Sequence, residues 1–344
     1  MPLRSPLCCV AALLAVPLLV GCGGGSSGGE SSAAPDAGQQ AFEDAGNGSA
    51  NDAGGRSPDG GGATGPDGGN DAGGPGAVDA APEGGGSATP AIKAAIYIDN
   101  WSGSFASWAP KIDFTKMTHL LLAFATVSGT NGWGNTLGDT DDVKTIVAAA
   151  HAQNVKVLVS IGGGGGDQSV ISAYQSASNI APLVANLDTM VASMNLDGVD
   201  VDLESPSGMT PSSNYSAFVS ALMSTFHPEG KLVTSATAQY IVEGQNADAT
   251  TYATINSFDF INDMIYSNNA SDFTNEATWW TGSPVNLQPD HLVLGICFGE
   301  CGGTPSVNMV QQVTTDSLQY GGVMGWDYTD ADESTIWPAM QGAL

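Results

Sequence analysis

The sequence predicts a (β/α)8 barrel over residues 91–344, and three observations carry that expectation. Composition changes abruptly at Ala91, from a mixture of Gly, Ala, Ser, Asp and Pro to apolar runs separated by polar helical stretches. Eight such runs follow, each with room for a helix behind it, which is the alternation of a parallel sheet. The length is that of one barrel, typically about 250 residues. A doubly wound open sheet is the alternative, but it ordinarily brings a glycine-rich nucleotide turn after its first strand. Here "IDNWSGSF" stands at that place and holds no GxGxxG.

In chain order the strands are read as "AAIYID" (94–99), "HLLLAFA" (119–125), "KVLVSI" (156–161) and "GVDVDLE" (198–204). They continue as "LVTSATA" (232–238), "FINDMIY" (260–266), "LVLGIC" (292–297) and "GVMGWDY" (322–328). Between them "DDVKTIVAAAHAQN", behind an aspartate cap, and "PSSNYSAFVSALMSTF" read as helices. The fourth strand is the informative one. Side chains alternate across a strand, so Asp200, Asp202 and Glu204 share one face while Val199, Val201 and Leu203 share the other. The apolar set packs under helices and the acids point into the lumen, with Glu204 at the C-terminal end, where barrels of this kind place their chemistry. Same-face neighbours lie roughly 6.6 Å apart, so the carboxylates repel unless protons are shared. A calcium loop would interleave glycine or polar residues rather than valine and leucine.

Residues 1–22 read as an export signal, with Arg4 ahead of the apolar run "CCVAALLAVPLLV", which is short for a membrane span. It ends in "LVGC", which resembles a bacterial lipobox and makes Cys22 the lipidated residue. An ordinary secretory signal and an uncut anchor are the alternatives. All three export the protein, to a bacterial membrane surface or beyond it. Residues 23–90 have one aromatic, Phe42, and read as a flexible tether without a core of its own.

Residues 93–344 carry 25 Asp plus Glu against six Lys and no Arg. That balance excludes nucleic acid as a partner, because phosphate binding needs basic side chains. The acidity reads as solubility. Without the signal and Cys22, two cysteines remain, Cys297 and Cys301, which an exported protein could pair. His119, His151, His227 and His291 are scattered and no HExxH or CxxC is present, so no metal is expected.

The row "DGVDVDLE" (197–204) resembles the DxxDxDxE signature of family 18 glycoside hydrolases, the chitinases and endo-β-N-acetylglucosaminidases. Further landmarks are similar to the family's other strands: "AIYIDNW" (95–101), "LLAFA" (121–125), "VSIGG" (159–163), "MIYS" (264–267) and "GGVMGWDY" (321–328). The resemblance implies a retaining mechanism in which the substrate's acetamido group is the nucleophile. By that resemblance Glu204 protonates the glycosidic oxygen, Asp202 orients the acetamido N–H, and Asp200 shares a proton with Asp202. Tyr266 would bond the acetamido carbonyl and Trp326 would stack beneath the sugar. Tyr97, Trp101, Ser160, Gly163 and Phe124 are the further substrate contacts expected, and Asp197 is expected to brace the start of its strand. Ser267 departs from the family, where Asp or Asn usually follows the tyrosine. The five glycines at 162–166 lack the Lys and Ser/Thr of a phosphate loop and read as a tight turn leaving room for sugar.

Trp101, Trp108, Trp133, Trp279 and Trp280 are placed in loops, where one or two are expected to meet carbohydrate and the rest to pack. Residues 298–321 leave no space for the small domain that many processive chitinases insert between strands seven and eight, so a shallow cleft and endo cleavage follow. The expected partners are a saccharide containing N-acetylglucosamine and, through the lipid, a membrane. No cofactor is expected, and the chain reads as a monomer. An N-glycan substrate, or a lectin that has lost turnover, are the alternatives; intact Glu204 speaks against the lectin.

Overall fold

In the computed structural model, which describes residues 92–342 except 135, 244–246, 300, 302–304, 329, 330, 332 and 333, eight parallel strands close into a barrel. The signal read at 1–22, with Cys22, and the tether read at 23–90 lie outside the described residues. The strands are β1 (Lys93–Asp99), β2 (His119–Ala125), β3 (Lys156–Gly162) and β4 (Gly198–Asp202). They are completed by β5 (Leu232–Thr237), β6 (Ile261–Asp263), β7 (Leu292–Cys297) and β8 (Gly322–Trp326). Each pairs with the next, and β8 returns to β1 with Gly322 opposite Lys93.

The period-two pattern decides which side each residue takes. Ile96, Ile98, Val157, Val159, Val199 and Val201 belong to the main apolar layer between sheet and helices, while Ala95, Tyr97, Leu121, Ala236, Phe260, Val293 and Met324 cluster separately inside the ring. Full burial of one such aliphatic side chain is worth about 1.5–3 kcal/mol. The helices obey the 3.6 period. Thr140–His151 opens on Asp139, whose carboxylate accepts the Asp141 N–H, and buries Val143, Ile146, Val147 and Ala150 on one face. Ser212–Phe226 likewise buries Tyr215, Phe218, Val219, Leu222 and Phe226.

Strand ends differ from expectation. β4 stops at Asp202, so Leu203 and Glu204 follow the ladder rather than belong to it. β6 covers only Ile261–Asp263. Tyr266 sits at φ +42°, a left-handed value that no extended ladder accommodates, and this ends the strand before the tyrosine. Between β7 and β8 the described residues hold one helix, Val307–Ser317, and no added strand. Among the described residues no helix is long and apolar enough to cross a membrane.

The loop placement of the tryptophans needs correction. Trp279 and Trp280 lie in the helix Ala270–Thr281, and Trp280 is wholly buried, because it falls on the same helix face as buried Phe273 and Ala277. Trp133 ends a two-stranded ribbon formed by Val127–Ser128 and Gly132–Trp133, and its indole donates to the Leu183 carbonyl. Trp108 closes the short helix Phe105–Trp108 with Lys111 Nζ 4.0 Å from its ring centre. Trp101 alone of the five is strongly exposed, at 56%.

Candidate active site

The carboxylate row rests on Asp200. It is fully buried in the lumen, opposite Ser160 of β3 and Thr234 of β5. Tyr97 and Ser160 donate to its Oδ2 at 2.7 and 2.8 Å, Thr234 donates to Oδ1 at 2.6 Å, and Asn262 Nδ2 lies 3.5 Å from Oδ1. Burial holds its carboxyl above the usual range even so, against the pull of those donors. An unpaired buried charge costs several kcal/mol, and the ring of donors is what makes this position tolerable.

Asp202, two residues on, is 3% exposed, and its Oδ1 is buried without a hydrogen-bond partner. Burial first, then the charges of Glu204, Asp200 and Asp167, push its carboxyl well above the ordinary 3.8. Glu204 is half-buried just beyond the strand. Burial and the neighbouring Asp167 raise its pKa above the ordinary 4.5, while the Gly164 N–H opposes them. Carboxyl groups this close cannot all ionise together, so protons are retained at pH values where an exposed carboxylate would be charged.

These groups open into a cavity of about 390 Å³ lined by Trp101, Phe124, Gly164, Asp202, Glu204, Met264, Tyr266, Cys301 and Trp326. Aromatic faces form one wall. Phe124 and Trp326 stack with centroids 5.4 Å apart and planes 15° apart, and Trp101 stacks on Phe124 at 6.2 Å and 26°. Tyr97 supports Trp326 from below at 5.6 Å. Opposite that wall are the acids and Tyr266, whose hydroxyl is held well above its usual range by burial and then by Asp202, Glu204, Asp200 and Asp263. The wall suits the apolar face of a sugar ring, and the acids suit proton transfer to it.

The glycine run shapes this mouth. At Gly162, φ +113°, a Cβ would strike the Asp202 carbonyl oxygen, and at Gly163, φ +76°, it would strike the Phe124 ring. At these two positions the turn makes room for protein groups, the Asp202 carbonyl and the Phe124 ring, rather than directly for sugar. Gly164, not Gly163, lines the cavity.

Several expected contacts move. Tyr97 and Ser160 are 1% and 0% exposed and bond Asp200, so they lie beneath the cavity instead of in it, because their lumen positions are lower in the barrel than Asp202. Asp200 and Asp202 differ in their surroundings. Asp200 is occupied by its donors, and Asp202 Oδ1 stands bare. Asp197 sits at the start of β4, bonded to His151 Nε2 at 2.7 Å, Lys156 Nζ at 2.8 Å and the Val157 N–H at 2.8 Å. Burial raises its pKa, but those partners outweigh burial and leave it lowered. Ser267 turns to Asp272, 2.5 Å away. Cys297 and Cys301 form a disulfide, and Cys301 reaches the cavity wall.

Sequence reasoning missed Asp167. It begins the helix Asp167–Tyr174, is 4% exposed, and its Oδ2 accepts the Ser205 N–H at 2.8 Å, directly beside Glu204. One acid at the end of a glycine run carries no periodic signal. Among the described residues no group of three or more His, Cys, Asp or Glu is arranged to hold a metal ion.

Comparison with known proteins fits this geometry. Residues 93–299 match the profile of Glycosyl hydrolases family 18. An acidic endochitinase of Cucumis sativus is 28% identical over 214 residues, covering 55% of this chain and 70% of that one. Among solved structures, a GH18 chitinase from Flavobacterium johnsoniae aligns with a TM-score of 0.62 at 20% identity, over 74% of this chain and 94% of that one. A chitinase-like agglutinin from Robinia pseudoacacia aligns at 0.61 and 16% identity, over 72% and 98%. At these identities the structural likeness is one of fold.

Proposed function

We propose that this chain, which belongs to glycosyl hydrolase family 18, cleaves internal β-1,4 bonds of N-acetylglucosamine polymers of the chitin type, with retention of configuration. The observation that carries the reading is the bare, buried Oδ1 of Asp202 in the same cavity as half-buried Glu204 and the Trp326 face. An ionised Asp202 there accepts the acetamido N–H of a sugar stacked on Trp326, and Tyr266 donates to the acetamido carbonyl. Glu204 gives its proton to the glycosidic oxygen as the bond from C1 to that oxygen breaks. The acetamido oxygen bonds to C1, giving an oxazolinium ion whose positive charge Asp202 balances. Water then attacks C1 and returns a proton to Glu204, and the acetamido group is released. Two inversions at C1 leave the configuration retained.

Two assays side by side test the substrate. Purified protein is incubated with chitin oligosaccharides and with a high-mannose glycoprotein. Shortened oligosaccharides with an untouched glycoprotein are expected. Cleavage of the glycoprotein alone would move the substrate to the N-glycan core. Binding without any turnover would make the chain a lectin, a reading that the presence of Glu204 disfavours.

The acid role also has a pH signature. Glu204 works protonated, so its ionisation forms the alkaline limb of the activity profile. Asp167 raises the Glu204 value by its charge. Asp167→Asn removes that charge, stabilises ionised Glu204, and should move the alkaline limb to lower pH with the acid limb less affected. A pH profile of kcat/KM reads it, and an alkaline limb that stays in place would contradict the electrostatic link.

A further inference from the structure

Three large hydrophobic side chains are notably exposed among the described residues: Trp101, Leu318 and Tyr240. Trp101 already belongs to the cavity wall, and Leu318, which follows the helix Val307–Ser317, is not among the residues that line the cavity. Tyr240, 62% exposed, is different. It lies in the short helix Gln239–Glu243 that leaves the C-terminal end of β5. In a closed ring of eight strands β5 adjoins β4, which delivers Asp202 and Glu204, and stands opposite β1, which leads to Trp101. The two exposed aromatics therefore occupy opposite rims of one mouth, with the acids between them.

The helix that presents Tyr240 is fixed. Ile241 and Val242 are 1% and 2% exposed, and the helix packs on the turn Pro206–Met209 and on the helix Ala270–Thr281. The Gln239 N–H donates to Glu276 Oε1 at 3.0 Å. Glu276 faces the fully buried Asp263 at the end of β6, whose carboxyl is raised well above the ordinary range by burial and by Glu276. A rigid turn whose neighbours are buried, and whose one aromatic is left in water beside a row of acids, is an arrangement suited to a ligand face. The Tyr240 hydroxyl also feels those acids. Burial first, then Glu204, Asp202 and Glu276, push it up.

We propose that Tyr240 is the stacking platform for the leaving-group sugar, the ring on the far side of the cleaved bond from Trp326. This rests on the hydrolase reading above. Glu204 must stand at the glycosidic oxygen, and the ring on Trp326 takes one side of that oxygen. The next ring lies beyond Glu204, over β5. Its apolar face meets the phenol face of Tyr240, and the hydroxyl is not required for the contact.

Tyr240→Ala and Tyr240→Phe test this with two probes, chitohexaose as substrate and chitobiose thiazoline as competitive inhibitor. The thiazoline fills the Trp326 side and ends at C1, so it has no leaving-group ring. Tyr240→Ala should raise KM for chitohexaose about three- to tenfold, as expected for one aromatic stacking contact. Its inhibition constant for the thiazoline should stay within twofold of the parent protein. Tyr240→Phe should match the parent on both probes. Equal losses on both probes, no loss on either, or a loss with Tyr240→Phe as large as with Tyr240→Ala would each overturn the assignment while leaving the hydrolase reading intact. A parent protein that neither cleaves chitohexaose nor binds the thiazoline would overturn the hydrolase reading and this assignment with it.

Discussion

Glu204→Gln is expected to lower kcat on chitin oligosaccharides by about 10²–10⁴-fold, the usual worth of a positioned general acid. Gln keeps the shape of the side chain and its contact with the Gly164 N–H but has no proton to give. Oligosaccharide binding should persist, because the Trp326 wall is untouched. Stability should respond with a definite sign. Glu204 has a raised pKa in the folded chain, so its share of stability is complete below the ordinary 4.5 and is lost as pH rises through the raised value. Gln removes that loss. The variant should melt no lower than the parent at neutral pH, and its melting temperature should fall less between pH 4 and 8. Turnover above a few per cent of the parent's would remove Glu204 from the acid role.

Asp202→Asn is expected to cost about a hundred- to a thousandfold in kcat, the range found when one preorganised electrostatic contact to a developing charge is removed. The amide has the right shape but no charge to balance the oxazolinium ion. KM should change far less than kcat, since the interaction grows as the ion forms. Burying a neutral amide is also cheaper than burying a carboxylate without a partner on Oδ1, so the variant should be at least as stable as the parent at neutral pH. Steady-state kinetics and thermal melts read both parts. A rise in KM with unchanged kcat would mean that Asp202 only binds substrate.

The barrel was legible because its signals are periodic. Apolar strand runs recur eight times, with helical stretches such as 140–151 and 212–226 between them, and the structure closes eight strands from them. The acidic row was legible for the same reason, since Val199 and Val201 demand burial and thereby turn Asp200 and Asp202 inward. Depth within the lumen was not. Alternation says which face Tyr97 and Ser160 take, but only the register of β1, β3 and β4 shows that both stop at Asp200, below the cavity. Asp167 and Tyr240 are single residues on loop-to-helix turns, and no repeating pattern marks such positions. Sequence alone does not place Trp279 and Trp280 in the helix Ala270–Thr281, because these weak helix formers resemble loop aromatics until the packing that buries Trp280 is known.

Substrate assistance is the centre of the account, and proton NMR of chitohexaose cleavage tests it most directly when run beside the fully deacetylated hexamer. The new reducing ends of chitohexaose should appear first as the β anomer and equilibrate later, and the deacetylated hexamer should remain uncleaved because it has no acetamido oxygen to attack C1. Appearance of the α anomer first, or cleavage of the deacetylated hexamer at a comparable rate, would contradict it.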